Sequence, residues 1–390
     1  MNKTRQILPI IVFAQFCCTS LWFAGNGVMG DLLKTYDLEL SALGHLTAAV
    51  QLGFIGGTLV FALLNLTDRF QPSKLFFICA CFGAVFNLGI LLEQNNLNSL
   101  FLWRFLTGFS LAGIYPVGMK IASDYFREGL GKSLGYLVGA LVLGTAFPHL
   151  LKTVSGTENL PWKTVIITTS AIAVLGGCLI LLMVPEGPYR KAAVGKSTFR
   201  IFGIFRNSRF RAAAFGYFGH MWELYTFWAF VPLILSSYNL LHPATDFNIP
   251  LFSFFIIGSG GFACIAGGYI SERIGIEKTA ATALFLSGCC CLLFPLIFIL
   301  DVPVLLILFL IFWGLTVVAD SPLFSTLVAQ NTNPETRGTA LTIVNSIGFA
   351  ITIISIQFIN FLTLQFENIS MLALLAAGPA FGLWSLFRKK

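Results

Sequence analysis

Long apolar runs recur along nearly the whole chain, and only short polar or Pro/Gly-containing stretches separate them. The runs are about 18–28 residues long, the length that an α-helix needs to cross a bilayer. Of the 390 residues, 56% are hydrophobic and 11% are charged, whereas soluble domains carry roughly 25% charged residues. We therefore predict an all-α membrane protein, since the strands of an outer-membrane barrel would be shorter and alternating. The twelve predicted transmembrane helices cover 8–30, 41–64, 73–93, 99–123, 131–151, 162–184, 209–237, 250–271, 278–299, 303–329, 336–362 and 368–387.

The longest polar stretch, 185–208, lies between the sixth and seventh predicted helices and is rich in lysine and arginine. It divides the chain into two sets of six helices. We predict an N-terminal six-helix bundle over 1–184 and a C-terminal six-helix bundle over 209–390, joined by a cytoplasmic linker over 185–208.

The two halves of the chain repeat each other. Gly108 and Pro116 in the fourth span recur as Gly314 and Pro322 in the tenth, at a shift of 206 residues. The glycine pair at 56–57 recurs at a shift of 204. Parallel repeats of this kind predict a pseudo-twofold axis along the membrane normal, with a substrate cavity between the halves near the bilayer midplane.

Lysine and arginine gather in alternate loops. If the N-terminus is cytoplasmic, twenty of these residues lie on the cytoplasmic side and three (Lys34, Lys152 and Lys163) on the other. The positive-inside rule then predicts a multi-pass inner (plasma) membrane protein with both termini cytoplasmic. The net charge of +7 follows from these loops, so the expected partner is the lipid bilayer and nucleic acid is not expected.

Two acidic side chains lie deep in predicted spans, where charge is costly and functional sites concentrate. Glu223 lies near the middle of the seventh span and shares a helical face with His220. Asp320 lies in the tenth span. A buried carboxylate can carry a proton across a membrane, so Glu223 is the first candidate for proton coupling and Asp320 the second. The alternatives are a packing hydrogen bond for Glu223 and, for Asp320, a cap on backbone groups freed by Pro322.

Other polar and aromatic side chains suit a cavity for a small organic solute. We predict that Arg104, in the fourth span, binds an anionic solute or balances a buried carboxylate. Trp22, Asn26 and Tyr225 are the further candidates, and a lipid-facing or interfacial belt is the alternative for the aromatic side chains. The nine cysteines lie in apolar runs as expected for small buried hydrophobes. We predict no metal site, no cofactor and no enzyme activity.

Short motifs recur in register on the duplicated chain. The pattern G-x-x-x-D-R-x-G is matched around Glu272 and Arg273, and Asp68 and Arg69 repeat its charged pair in the first half. The pattern R-x-x-x-G-x-x-x-A begins at Arg104, and a P-x-x-R-G turn occurs between the tenth and eleventh spans. In these motifs the chain resembles the major facilitator superfamily of transporters. The resemblance implies the twelve-helix fold of that family.

The resemblance also implies a secondary active transporter that moves a small-molecule substrate by alternating access, with H⁺ as the expected coupling ion. The charged pairs Asp68–Arg69 and Glu272–Arg273 would then gate the cytoplasmic side, and solvated loop ion pairs are the alternative. Uptake by symport and efflux by proton antiport both stay open. The fifth span lacks the glycine-proline pattern of the family's drug antiporters, which favours uptake. A non-transporting receptor or scaffold with a transporter fold is the second alternative.

Overall fold

A computed structural model describes residues 3–64, 66–126, 130–157, 162–190, 200–332 and 337–388. In these ranges the chain is helical and contains no strand. Two compact units divide it, Met1–Ser197 and Thr198–Lys390. The predicted linker contains residues 191–199, which lie outside the described residues.

Ten α-helices make up the first unit: α1 Lys3–Thr19, α2 Ala24–Gly27, α3 Met29–Thr35, α4 Ala42–Leu63, α5 Leu66–Arg69, α6 Pro72–Leu88, α7 Leu97–Leu111, α8 Tyr115–Tyr125, α9 Leu130–Thr157 and α10 Lys163–Met183. Seven make up the second: α11 Ser208–Leu241, α12 Ile249–Ile274, α13 Ile276–Phe298, α14 Pro303–Ala319, α15 Ser321–Gln330, α16 Arg337–Phe366 and α17 Ala377–Phe387. A 3₁₀ helix, Ile369–Ala376, leads into α17.

Within the described residues, eleven helical stretches are long and apolar enough to cross a membrane, and a shorter apolar helix, Ile7–Thr19, supplies the first span. The prediction of twelve transmembrane helices is therefore confirmed. The predicted spans were continuous, but three of them are broken. The first stops at Thr19 and resumes at Ala24, the fourth divides into α7 and α8, and the tenth divides into α14 and α15.

Proline explains two of the three breaks. Pro116 is the second residue of α8, and Pro322 is the second residue of α15. Proline has no backbone N–H and its ring clashes with the preceding helical turn, but it is tolerated in the first turn of a new helix. The chain therefore ends one helix just before each proline and begins another.

Closely packed glycines show the internal repeat in three dimensions. A β-carbon added at Gly108 of α7 would lie 2.0 Å from the carbonyl oxygen of Val50 in α4. A β-carbon added at Gly314 of α14 would lie 2.1 Å from the carbonyl oxygen of Ile256 in α12. Gly108 and Gly314 are 206 residues apart, and so are their contacts Val50 and Ile256. The glycine pairs at 56–57 and 260–261 align at a shift of 204, two residues less. Each unit thus contains the same backbone-to-backbone helix contact, which only glycine permits.

Candidate functional site

Glu223 lies near the middle of α11, a helix of 34 residues that passes through the second unit without a break. Its side chain is fully buried. One carboxylate oxygen, Oε1, accepts hydrogen bonds from Nε1 of Trp313 at 2.6 Å and from Sγ of Cys291 at 3.3 Å. The other, Oε2, accepts a hydrogen bond from Oγ of Ser287 at 2.8 Å. We call these four side chains the Glu223 cluster.

Two neighbouring helices position the three donors. Ser287 and Cys291 are four residues apart on α13, so their side chains lie on one face of that helix. Trp313 comes from α14, and its ring stacks on Phe227 with centroids 4.3 Å apart and also packs against Phe294. This packing fixes the direction of the indole N–H. Each donor bond is stronger to a charged acceptor than to a neutral one, so the three donors offset part of the cost of burying an ionised carboxylate.

His220 and Asp320 form a second buried pair, one helical turn from Glu223. Both side chains are 1% exposed, and Nδ1 of His220 lies 2.8 Å from Oδ1 of Asp320. Among the described residues, Nε2 of His220 and Oδ2 of Asp320 have no hydrogen-bond partner. The pair therefore leaves one ring nitrogen and one carboxylate oxygen without a partner.

Asp320 stands at the break between α14 and α15. Its backbone carbonyl accepts the N–H groups of Leu323 at 3.0 Å and Phe324 at 2.9 Å. Its carboxylate makes no capping hydrogen bond to α15 and lies instead against His220. The break thus leaves the carboxylate free to contact His220 of α11.

Arg104 occupies the break in the first span. Its guanidinium donates to the carbonyl oxygens of Leu21, at 3.1 Å, and of Trp22. The side chain is 2% exposed, and a β-carbon added at Gly25 would lie 3.2 Å from its Nε. Among the described side chains, no carboxylate lies within ion-pair distance of Arg104. The guanidinium therefore satisfies carbonyls that the end of α1 leaves without helical partners.

The remaining solute-site candidates are buried and not lipid-facing. Nδ2 of Asn26 donates to Oγ1 of Thr47 at 2.7 Å. The ring centroids of Trp22 and Phe54 are 4.9 Å apart. Tyr225 packs against Trp228 and Phe349 at 5.2 and 5.3 Å. Trp22 is 0% exposed and Tyr225 2%, so neither ring belongs to a lipid-facing belt.

The candidate gating residues lie at helix ends. Arg69 ends the short helix α5, and Glu272 and Arg273 lie in the last turns of α12; all three are exposed. The side chain of Asp68 lies outside the described residues. After α12, Gly275 adopts a φ of 94°, a conformation that favours glycine, so the chain turns sharply there into α13.

Sequence reasoning missed the three donors of the Glu223 cluster. The only local signal in the sequence is Ser287, a polar residue in an apolar run, with Cys291 one helical turn further along. No local signal marks Trp313 as a donor, because its partner Glu223 is 90 residues away in the chain. Among the described residues, no group of three or more His, Cys, Asp and Glu side chains could hold a metal ion.

Membrane-length helices in two repeated units, with polar groups enclosed beside helix breaks, define a polytopic membrane protein of the kind that moves solutes. The comparison with protein families agrees. The model of the Major Facilitator Superfamily matches residues 11–356, and the chain belongs to that family. No curated protein sequence matches the chain.

Two solved structures are similar to this chain along their lengths. A mutant of the nucleoside transporter NupG has a TM-score of 0.73 and 16% identity, over 100% of this chain and 99% of that one. A bacterial homologue of the human lysosomal transporter Spinster, inward-facing and unoccupied, has a TM-score of 0.68 and 15% identity, over 100% and 94%. At these identities the likeness shows the fold alone.

Proposed function

We propose that the chain is a proton-coupled secondary transporter that takes up a small organic solute across the inner membrane, with both termini in the cytoplasm. Membership of the Major Facilitator Superfamily and the likeness to transporter folds support transport. The bias of basic residues toward alternate loops supports the orientation. The Glu223 cluster is the observation that supports proton coupling.

The cluster can hold Glu223 in either protonation state. Three donors surround the ionised carboxylate. When the carboxyl group gains a proton, it becomes a donor and needs an acceptor. Oγ of Ser287 can supply one by turning its own O–H toward the carbonyl oxygen of Leu284, which lies 3.2 Å away. One hydroxyl rotation therefore exchanges the two arrangements without moving a helix.

The His220–Asp320 pair supplies a second step for the proton. His220 and Glu223 are three residues apart on α11 and share a face, and an imidazole ring can accept a proton on one nitrogen and release one from the other. We infer that protons pass between Glu223 and Asp320 by way of His220. Because Asp320 lies at a helix break, a rearrangement of α14 and α15 during alternating access would change its surroundings and so its proton affinity.

Solute contacts are proposed separately in each unit. In the first unit they are Trp22 and Asn26, beside the broken first span, and in the second unit Tyr225 of α11, because aromatic rings and amide groups suit a small organic molecule. Arg104 contributes by holding the break in shape, and the charged pairs at the ends of α5 and α12 gate the cytoplasmic side.

Efflux by proton antiport uses the same residues and is the alternative. A receptor or scaffold without flux is the second alternative, and uptake into proteoliposomes would exclude it.

The experiment is uptake into proteoliposomes of the purified chain under an imposed pH gradient. The solute is chosen by screening metabolites for thermal stabilisation, since a ligand that binds only the folded protein raises its apparent stability. Glu223→Gln keeps the shape of the side chain but cannot ionise. We expect it to lose gradient-driven accumulation while solute exchange across the membrane survives, because exchange need not cycle a proton.

Glu93→Gln, at an exposed position in the first unit, is the matched control and should accumulate normally. Unchanged accumulation and pH dependence in Glu223→Gln would move the proton site elsewhere, with Asp320 as the next candidate. Accumulation of the solute inside the vesicles when the proton gradient is directed outward (acid inside) would favour antiport.

A further inference from the structure

The second unit contains a cavity of about 260 Å³ between the start of α11 and the end of α17. It lies at the end of the unit that the loop charges predict to be cytoplasmic. This volume is smaller than that of pockets that enclose whole drug-sized ligands. The cavity is lined by Ser208, Arg211, Ala212, Phe215, Trp384, Ser385 and Arg388.

Two arginines give the cavity its charge. Arg211 is exposed in the first turn of α11, and its guanidinium also donates to the carbonyl oxygen of Phe205 at 3.2 Å. Arg388 lies over the ring of Trp384, 4.8 Å from its centroid. No acidic side chain is among the described residues that line the cavity. Two guanidinium groups beside two serine hydroxyls match the oxygens of a phosphate diester.

An aromatic column continues from the cavity along the outside of the unit. The rings of Trp384 and Phe381 are stacked with centroids 6.1 Å apart, and Phe381 lies 5.4 Å from Phe215. Trp384 is 50% exposed and Phe381 44%. Both belong to a helical stretch apolar enough to cross a membrane. The column therefore offers apolar surface at the depth where acyl chains begin.

From this arrangement we infer that the cavity is a binding site for an anionic phospholipid. The phosphate diester lies between Arg211 and Arg388, and an acyl chain runs along Phe381 and Phe215. Basic pockets between transmembrane helices on the cytoplasmic side bind such headgroups, because the inner leaflet is anionic. This site is separate from the Glu223 cluster and does not depend on what the transporter carries.

Native mass spectrometry of the purified full chain tests the inference. The protein is titrated with phosphatidylglycerol or with phosphatidylcholine, which carries the same chains and no net charge. We expect one phosphatidylglycerol molecule to bind per chain, in preference to phosphatidylcholine. The double variant Arg211→Gln/Arg388→Gln should bind it at least about tenfold more weakly, from the loss of two surface-facing arginines.

Arg209→Gln is the matched control, because Arg209 is exposed in the same helical turn but does not line the cavity. Equal binding of the two lipids, or equal losses in the double variant and the control, would overturn the inference. Displacement of the lipid by millimolar inorganic phosphate would overturn it as well, since it would mean that the cavity binds small anions. If Phe381→Ala binds long-chain phosphatidylglycerol more weakly but binds a short-chain form normally, the result would support the contact between the acyl chain and Phe381.

Discussion

Replacing Arg104 with methionine tests whether the broken first span depends on that guanidinium. Methionine has a similar length but no donor. The substitution leaves the buried carbonyl oxygens of Leu21 and Trp22 without the partners that they have in the structure. Each unsatisfied buried acceptor costs about 1–3 kcal/mol, which gives roughly 2–6 kcal/mol for two. Removing a buried charge offsets part of this cost, so we expect a net loss of about 2–4 kcal/mol.

The assay is the free energy of unfolding of the purified protein in a mixed-detergent titration. Arg104→Lys should lose about half as much, because an ammonium group is a point donor and lacks the planar fork that reaches two carbonyls. Arg69→Met removes an exposed arginine from the same unit and should change stability by less than about 0.5 kcal/mol.

The result also separates two roles for Arg104. If the side chain supports the break, stability and transport fall together in Arg104→Met. If it binds an anionic solute, solute affinity falls while stability stays near that of the unmodified chain. A loss of stability no larger than that of Arg69→Met would refute the argument from the two carbonyls.

Two further substitutions test the packing and the Glu223 cluster. Gly108→Ala would place a methyl group 2.0 Å from the carbonyl oxygen of Val50, so we expect size-exclusion chromatography to show little folded protein. The control Gly268→Ala should fold normally, because an added β-carbon there meets nothing within 4 Å. Similar yields of the two variants would contradict the helix contact. Trp313→Phe keeps an aromatic side chain but replaces the indole with a phenyl ring and so removes the N–H donated to Glu223. We expect a loss of about 1–3 kcal/mol in unfolding free energy and a shifted pH profile of uptake. An unchanged profile would argue against coupling through this bond.

The sequence was sufficient to predict the number and approximate bounds of the membrane helices, because each span must be apolar over its own length. The breaks were harder to predict. Pro116 and Pro322 are local signals for two of them, since proline begins a helix more readily than it continues one. The break after Thr19 has no proline, and it is stabilised by Arg104, more than 80 residues away in the chain.

In the candidate site, too, some residues have a local signal in the sequence and others do not. Glu223, His220 and Asp320 could be selected because charge in an apolar run is conspicuous. Their partners could not, because a serine, a cysteine and a tryptophan are ordinary residues in membrane helices. Only packing of α13 and α14 against α11 turns Ser287, Cys291 and Trp313 into donors for one carboxylate. The pairing of His220 with Asp320 likewise joins two helices that are far apart in sequence.

The break in the tenth span has a counterpart in the fourth. At the shift of 206 that relates the two glycine contacts, Asp320 corresponds to Ile114. Both residues immediately precede a short helix with proline in its second position. An acidic side chain is present at only one of the two breaks. The repeat therefore supplies an uncharged counterpart of Asp320 in the same molecule, and the break at Pro116 shows that such a break forms without a carboxylate beside it.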